Sequence, residues 1–217
     1  MTRDDLQRLF PAAVVIEVAT EADEDDSILH PAEQALMNAM VPARKREFAA
    51  GRNAARRALA RLGFQNATLP RRPSSHDVLW PEGTAGSISH TRGLRVAACV
   101  RTTDLRSVGI DVEEAGPLGA HIIDAICLPE ELLALERLAA PFPSDWPRLV
   151  FAMKEAAYKA LYPLTRHMLD FHDARVYIDP LARRYRFEVL DSTMPGMPVT
   201  GSFSWNDDYV AASAVLS

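Results

Sequence analysis

The 217-residue sequence has little cysteine and no long apolar stretch. Its two cysteines, Cys99 and Cys127, have neither the CxxC spacing of a redox or zinc motif nor the number that a disulfide framework requires. No uninterrupted apolar run is long enough to cross a bilayer, and residues 1–5 lack the apolar run of a signal peptide. We therefore expect a cytoplasmic protein without a membrane partner.

Charge is unevenly distributed along the chain, although the net charge is only −5. Residues 17–33 contain seven acids and no Lys or Arg, whereas residues 44–61 contain seven Lys or Arg and one acid, Glu47. A negative net charge argues against a nucleic-acid partner. The basic stretch then has two interpretations of similar weight. It is either a local anion site or a solvated face that pairs with the acidic stretch.

Turn residues and hydrophobic periodicity predict helices and strands in mixed order. A short helix is expected to begin at Pro31, followed by helices over residues 44–62, 129–139 and 145–162. Strands are expected over residues 13–18, 86–90, 94–100, 107–113, 174–179 and 185–190, with a hairpin over 200–216 and a loop over 66–79. Hairpins rather than repeated βαβ units favour the α+β class.

A faint internal duplication divides the chain. Residues 86–100 align with 201–215 without a gap, with five identities in fifteen, and residues 48–49 resemble 151–152. Each half would be a helix followed by a hairpin, in two similar pseudo-twofold α/β halves, 1–106 and 107–217, with the active site in the cleft between them. The alignment of residues 48–49 with 151–152 also aligns Arg52 with Glu155 and Arg56 with Lys159.

Acidic residues in two separate segments indicate a metal site. Asp111 and Glu113 share one face of an extended segment, and Glu155 and Lys159 share one face of a helix. Either pair alone is compatible with a solvated face, but the very apolar stretch 149–153 predicts that the helix is buried, where charges need partners. Carboxylates with room for waters and phosphates suit Mg²⁺.

Serine, histidine and arginine residues in the first half are candidate ligands for phosphate. Ser89 is not surrounded by a GxSxG elbow, so a serine-hydrolase role is not supported, and His90 is instead suited to a phosphate oxygen. Arg44, Arg52 and Arg56 fall close to one helical face. Their guanidinium groups match phosphate bidentately, which predicts a site for a terminal phosphate.

Taken in order, these segments resemble the 4′-phosphopantetheinyl transferases that serve siderophore, nonribosomal-peptide and polyketide synthases. The resemblance covers about residues 29–169. It rests on the sequences RKREF at 44–48, GRNAAR at 51–56, WPEG at 80–83, GSISH at 86–90, GIDVE at 109–113 and FAMKEAAYK at 151–159. The family fold is a pseudo-twofold pair of α/β halves with coenzyme A in the cleft, which agrees with the duplication.

The resemblance implies a role for each matching residue. The metal ligands would be Asp111, Glu113 and Glu155, which hold Mg²⁺, or Mn²⁺ in its place, and the catalytic pair would be Glu155 as base and Lys159 as the group that offsets charge. Coenzyme A would be contacted by Arg44, Arg52, Arg72, Ser89, His90, Asp111 and Lys159. The sequence departs from the family in two places. Ala152 stands where many members have Ser, and a longer connection follows Arg72, which leaves the reach of that residue open.

The implied reaction moves the 4′-phosphopantetheine arm of coenzyme A onto a serine of an acyl, peptidyl or aryl carrier protein and releases adenosine 3′,5′-bisphosphate. By resemblance the enzyme is a monomer. Two alternatives belong to other classes, namely a non-catalytic module that binds coenzyme A or a carrier protein, and a nucleic-acid-binding protein that uses residues 44–61. The acids argue against the first, because anions beside a phosphate hinder binding without a metal.

Overall fold

The computed structural model describes residues 1–72, 75, 77–138, 145–191 and 196–217. Its helices are α1 (Arg3–Gln7), α2 (Pro31–Gln34), α3 (Pro42–Arg61), α4 (Ala120–Ile126), α5 (Pro129–Leu135) and α6 (Trp146–Thr165). Its strands are β1 (Val15–Val18), β2 (Thr84–Thr91), β3 (Leu94–Arg101), β4 (Ser107–Glu114), β5 (Ala174–Asp179), β6 (Arg184–Val189), β7 (Val199–Trp205) and β8 (Tyr209–Leu216). The mixture of helices with antiparallel sheets confirms the α+β class.

Two antiparallel sheets organise these elements. The first has the order β1-β3-β2 and packs against α3, and the second has the order β4-β8-β7-β6-β5 and packs against α6. In each sheet, a strand and a long helix precede a hairpin whose second strand pairs with that first strand. Ser89 lies opposite Val96 and Ser204 lies opposite Ala211, so the aligned serines occupy the same position in the two hairpins. The division into two functional halves stays a prediction.

Several element boundaries differ from the sequence-based ones for local reasons. The long basic helix begins at Pro42 rather than at residue 44, because proline is well tolerated in the first helical turn. Helix α6 continues past Pro163 to Thr165. Helix α5 ends at Leu135, and the predicted end at residue 139 lies outside the described residues. The short helices α1 and α4 were not predicted, since neither is long enough for a clear periodic pattern.

Strand β4 lies at the centre of the molecule and has two different faces. Val108, Ile110 and Val112 point into a buried cluster that also contains residues of α1, β1 and β3. On the other face, a Cβ atom at Gly109 would lie 1.9 Å from the carbonyl oxygen of Ala156. The missing side chain therefore allows the backbone of α6 to lie directly on β4. A glycine within a strand commonly marks such a close approach of another backbone.

Gly109→Ala is expected to destabilise the protein by about 1–3 kcal/mol or more, because the added methyl group must push α6 away from β4. The free energy of unfolding in urea measures this cost. Gly196→Ala is the matched control, since a Cβ atom at Gly196 would meet no atom within 4 Å. Equal stability of the two variants would show that α6 does not depend on this contact.

Within the described ranges, no helix combines the length and the apolar character that a membrane span requires.

Candidate active site

The site forms where the two sheets meet, between β2 at the end of the first sheet and β4 at the end of the second. Serine hydroxyls connect these two strands. The Ser87 hydroxyl accepts a hydrogen bond from the backbone N–H of Ile110 at 3.1 Å, and the Ser89 hydroxyl accepts one from Val112 at 3.3 Å. Two side chains of β2 therefore satisfy backbone donors of β4 and fix the position of Asp111 between them.

Ser89, Asp111 and Lys159 meet at this junction. Lys159 Nζ lies 2.5 Å from Asp111 Oδ1, and the Ser89 hydroxyl donates to the same oxygen at 2.9 Å. Asp111 is only 3% exposed, and its other oxygen, Oδ2, is buried without a hydrogen-bond partner among the described residues. Burial alone would lower the pKa of Lys159, but the charge and hydrogen bond of Asp111 outweigh it and raise that pKa. Lys159 is therefore a cation at neutral pH.

Two more carboxylates lie beside this cluster. Burial, and then the charge of Asp111, raises the pKa of Glu113 to about 7. Burial also raises the pKa of Glu155, against the opposing charge of Lys159, and Asp111 adds to the increase. The three acids are thus near enough to repel one another. Among the described residues, however, no three His, Cys, Asp or Glu side chains are grouped as a ready metal site. A cation shared by the three acids stays a prediction.

Arg44 and His90 form a second part of the candidate site. Arg44 Nη1 contacts His90 Nε2 at short range and lies 3.1 Å from Glu47. Burial, and then the charge of Arg44, lowers the pKa of His90, and Lys159 contributes to the same shift. The imidazole is therefore neutral at pH 7 and accepts a hydrogen bond from Arg44. The charge of Lys159 on α6 therefore reaches the contact between Arg44 on α3 and His90 on β2.

Arg52 is a buried cation in the same helix. It is 6% exposed, its Nε donates to the carbonyl of Leu69 at 3.0 Å, and its guanidinium lies 4.5 Å from the centre of the Phe48 ring. Burial lowers the pKa of Arg52 to about 10, despite the opposing charge of Glu33, and the charges of Arg71 and neighbouring arginines add to the decrease. The fully buried carboxylate of Glu33 supplies an opposing charge among these arginines.

The two arginines ahead of the Trp-Pro pair are oriented differently. The Nε of Arg72 lies 3.4 Å from Asp77, which also contacts Arg166 of the second half at 2.5 Å. Arg71 instead acts on the pKa of Arg52, and its buried Nε has no hydrogen-bond partner among the described residues. Arg71 was not predicted as a site residue. The sequence shows two adjacent arginines, Arg71 and Arg72, and does not indicate which of them lies near Arg52.

Most of the remaining basic side chains of α3 pair with the acidic stretch. Arg56 contacts Glu33, which is fully buried, and Arg57 contacts Asp23 and Glu17. The pairing with the acidic stretch that the sequence suggested is therefore present, and the local anion site stays a prediction. Arg56 and Arg57 support the structure through ion pairs, and Arg44 and Arg52 stay candidate phosphate ligands.

Lys154 has a structural environment that the sequence did not indicate, although it is part of the same KEAAYK segment as Lys159. It is 3% exposed and donates to Glu131 and to the carbonyls of Ile126 and Phe171 at 2.8–2.9 Å. All three ammonium protons are thus satisfied. Glu131 in turn accepts from the backbone N–H of Val176 at 2.7 Å, so the pair holds α5 and β5 against α6.

Lys154→Met is expected to destabilise the protein by about 3–5 kcal/mol, because it leaves the Glu131 carboxylate buried without its counter-charge. Thermal or urea unfolding measures the loss. Adding Glu131→Gln to Lys154→Met removes the buried charge and should recover part of the stability. A double variant that is no more stable than Lys154→Met would contradict an electrostatic origin.

Comparison with known protein families agrees with this geometry. Residues 32–100 match the 4′-phosphopantetheinyl transferase N-terminal domain, and residues 107–214 match the 4′-phosphopantetheinyl transferase superfamily. The chain belongs to the 4′-phosphopantetheinyl transferase superfamily, a family of enzymes. The first matched region contains helix α3, with Arg44 and Arg52, and the second contains helix α6, with Lys159.

Individual 4′-phosphopantetheinyl transferases are similar over most of the chain. The 4′-phosphopantetheinyl transferase Svp of Streptomyces mobaraensis is 42% identical over 197 residues, which are 89% of this chain and 78% of the relative. PptT of Mycobacterium tuberculosis is 36% identical over 195 residues, 86% and 85% of the two chains. Enterobactin synthase component D of Salmonella typhimurium is 37% identical over 123 residues, 54% of this chain and 48% of the relative.

Proposed function

We propose that this protein transfers the 4′-phosphopantetheine arm of coenzyme A to a serine of a carrier protein, depends on Mg²⁺, and releases adenosine 3′,5′-bisphosphate. The serine oxygen would form a bond to the phosphorus that carries the pantetheine arm, and the bond from that phosphorus to the adenosine phosphate would break. The observation that carries the proposal is the Ser89–Asp111–Lys159 cluster, where a buried acid and a cation meet the arginine-lined cleft.

The acids of the site suit a divalent cation. Asp111 Oδ2 is a buried acceptor that has no hydrogen-bond partner among the described residues. Glu113 and Glu155 have raised pKa values because of burial and of other acids nearby, a cost that a bound cation would remove. These three residues would hold Mg²⁺. When bound, it would neutralise charge on the pyrophosphate oxygens and orient them.

Lys159 would stabilise the charge that develops as the bond to the adenosine phosphate breaks. The Lys159 side chain is 28% exposed and its ammonium is held by Asp111 and Ser89, so it would present a preorganised charge to the substrate. Because the contact with Asp111 raises the pKa of Lys159, electrostatic stabilisation is favoured over proton donation.

Glu155 would accept the proton of the carrier serine, directly or through water. It lies one helical turn before Lys159, on the same side of α6. Burial raises its pKa towards the value that suits a base at neutral pH. The same carboxylate is also one of the three acids proposed to hold the cation.

The first half would bind the adenosine end of coenzyme A. Arg44 and Arg52 would hold the 3′-phosphate, with Arg71 or Arg72 contributing from the loop that follows. With Nε2 accepting from Arg44, neutral His90 keeps its proton on Nδ1 and can donate it to a phosphate oxygen. Residues 1–106 would thus bind the nucleotide, and residues 107–217 would hold the cation and the catalytic groups.

Arg52→Gln is expected to raise the KM for coenzyme A by on the order of 10–100-fold, which corresponds to about 1.5–3 kcal/mol for a hydrogen bond to a charged group. The KM for 3′-dephospho-coenzyme A should change little, because this analogue lacks the phosphate in question. The comparison within one variant cancels any loss of folded protein. An equal rise in both KM values would contradict a contact with the 3′-phosphate.

The reaction itself is tested by mass spectrometry of an apo-carrier protein incubated with the enzyme, coenzyme A and Mg²⁺. We expect the carrier to gain the mass of one phosphopantetheine arm, with one adenosine 3′,5′-bisphosphate released per carrier. The control is a carrier whose acceptor serine is replaced by alanine. Carriers that stay in the apo form, although coenzyme A binds, would overturn the proposed transfer.

A further inference from the structure

Arg148, in the first turn of α6, connects the end of β4 to the start of the catalytic helix. Its Nε donates to the carbonyl of Gly116 at 3.1 Å and its Nη2 to that of Pro117 at 3.4 Å. These two carbonyls belong to the segment between β4 and α4. The Arg148 side chain as a whole is 21% exposed.

The same guanidinium faces two acids. Its Nη1 lies 3.7 Å from Glu113 Oε2, and its Nε lies 3.8 Å from Asp145 Oδ2. Asp145 also caps α6 by accepting from the backbone N–H of Arg148 at 3.2 Å. The Arg148 backbone is thus fixed by the helix cap, and its guanidinium is fixed by two carbonyls. The remaining nitrogen, Nη1, faces Glu113.

Glu113 has few other constraints. Among the described residues its side chain makes no hydrogen bond, and the ion pair with Arg148 is the only ion pair of that side chain. Its side chain is about one quarter exposed, so it has room to turn away from Asp111. Glu113 therefore depends on Arg148 for its orientation.

We propose that Arg148 is a positioning residue that directs the Glu113 carboxylate towards Asp111 and so strengthens divalent cation binding. The inference rests on the proposed cation site. Carboxylates that bind metals are commonly held by an outer partner, and loss of such a partner typically lowers metal affinity by about 10–100-fold. Arg148 fits this role because the carboxylate oxygen it contacts leaves the second oxygen available.

The direction of the change in cation affinity distinguishes a positioning role of Arg148 from a purely electrostatic one. If Arg148 acted only through its charge, Arg148→Gln would strengthen cation binding by removing a repulsion, and Arg148→Lys would leave it unchanged. If Arg148 acts through geometry, both variants weaken binding, because neither glutamine nor lysine has a guanidinium fork that reaches two carbonyls and an acid together.

The experiment measures Mn²⁺ binding by electron paramagnetic resonance for the wild type, Arg148→Gln, Arg148→Lys and Glu113→Gln, and for Arg148→Gln combined with Glu113→Gln. Arg186→Gln is the control, because Arg186 lies on the exposed face of β6, which points away from α6. We expect both Arg148 variants to bind Mn²⁺ about 10–100-fold more weakly than the wild type. In the Glu113→Gln background, Arg148→Gln should have no further effect. Urea unfolding checks that each variant is folded.

The other outcomes overturn the inference in distinguishable ways. Tighter binding by Arg148→Gln, or an effect of equal size in the Glu113→Gln background, would show that Arg148 does not act by orienting Glu113, while the cation site itself would stand. Absence of Mn²⁺ binding by the wild type, with coenzyme A present, would remove the cation site and this inference together.

Discussion

Lys159→Met is expected to lower the kcat of phosphopantetheine transfer by on the order of 10²–10³-fold, the usual cost of losing one preorganised electrostatic group. The ammonium lies at the junction of the two sheets, 2.5 Å from Asp111, where it can face charge on the leaving phosphate. Methionine keeps most of the side-chain volume, so the packing of α6 should be retained. The rate is measured with a saturating carrier protein and coenzyme A.

Stability has to be measured with the rate, because this variant leaves buried Asp111 without its cation. Lys159→Met combined with Asp111→Asn removes both charges and provides a folded reference. Coenzyme A binding by calorimetry confirms that the cleft is intact. A folded Lys159→Met protein with the kcat of the wild type would rule out the role proposed for this lysine.

Removal of divalent cations is expected to reduce transfer by on the order of 10³-fold or more, since a metal supplies several kcal/mol of charge stabilisation. Without a cation, the pyrophosphate would enter a cleft that already contains Asp111, Glu113 and Glu155. These acids would repel it, and Lys159 is already paired with one of them. Initial rates are measured after treatment with a chelator and again after addition of excess Mg²⁺ or Mn²⁺.

Asp111→Asn provides the matched control for this experiment. It keeps the shape of the side chain that joins Ser89 to Lys159 but removes the charge, so the variant should be inactive at any Mg²⁺ concentration. Full turnover in a metal-free preparation of the wild type would exclude the cation from the reaction. Such a result would leave the family assignment unchanged.

The acids and the lysine of the candidate site were predictable because local patterns place them. Alternation along β4 puts Val108, Ile110 and Val112 on the buried face, which leaves Asp111 and Glu113 on the other. The glycine in that pattern indicated a close neighbour, and the neighbour is the helix with Glu155 and Lys159.

The remaining features depend on contacts between distant segments, which no local pattern encodes. Lys154 resembles Lys159 in sequence, but its partner Glu131 lies in a different helix. The orientation of Arg71 and Arg72 depends on the path of a loop. The role proposed for Arg148 depends on two backbone carbonyls, and every residue has a carbonyl, so the sequence does not indicate these contacts.

The hydroxyl of Ser89 belongs both to the candidate active site and to the hydrogen bonds that join β2 of one sheet to β4 of the other. A ligand that draws Asp111 or Lys159 towards itself would therefore also act on the hydrogen bonds of Ser89. Because a ligand that binds only the folded protein also stabilises it, the melting temperature would measure how much of the candidate site is occupied.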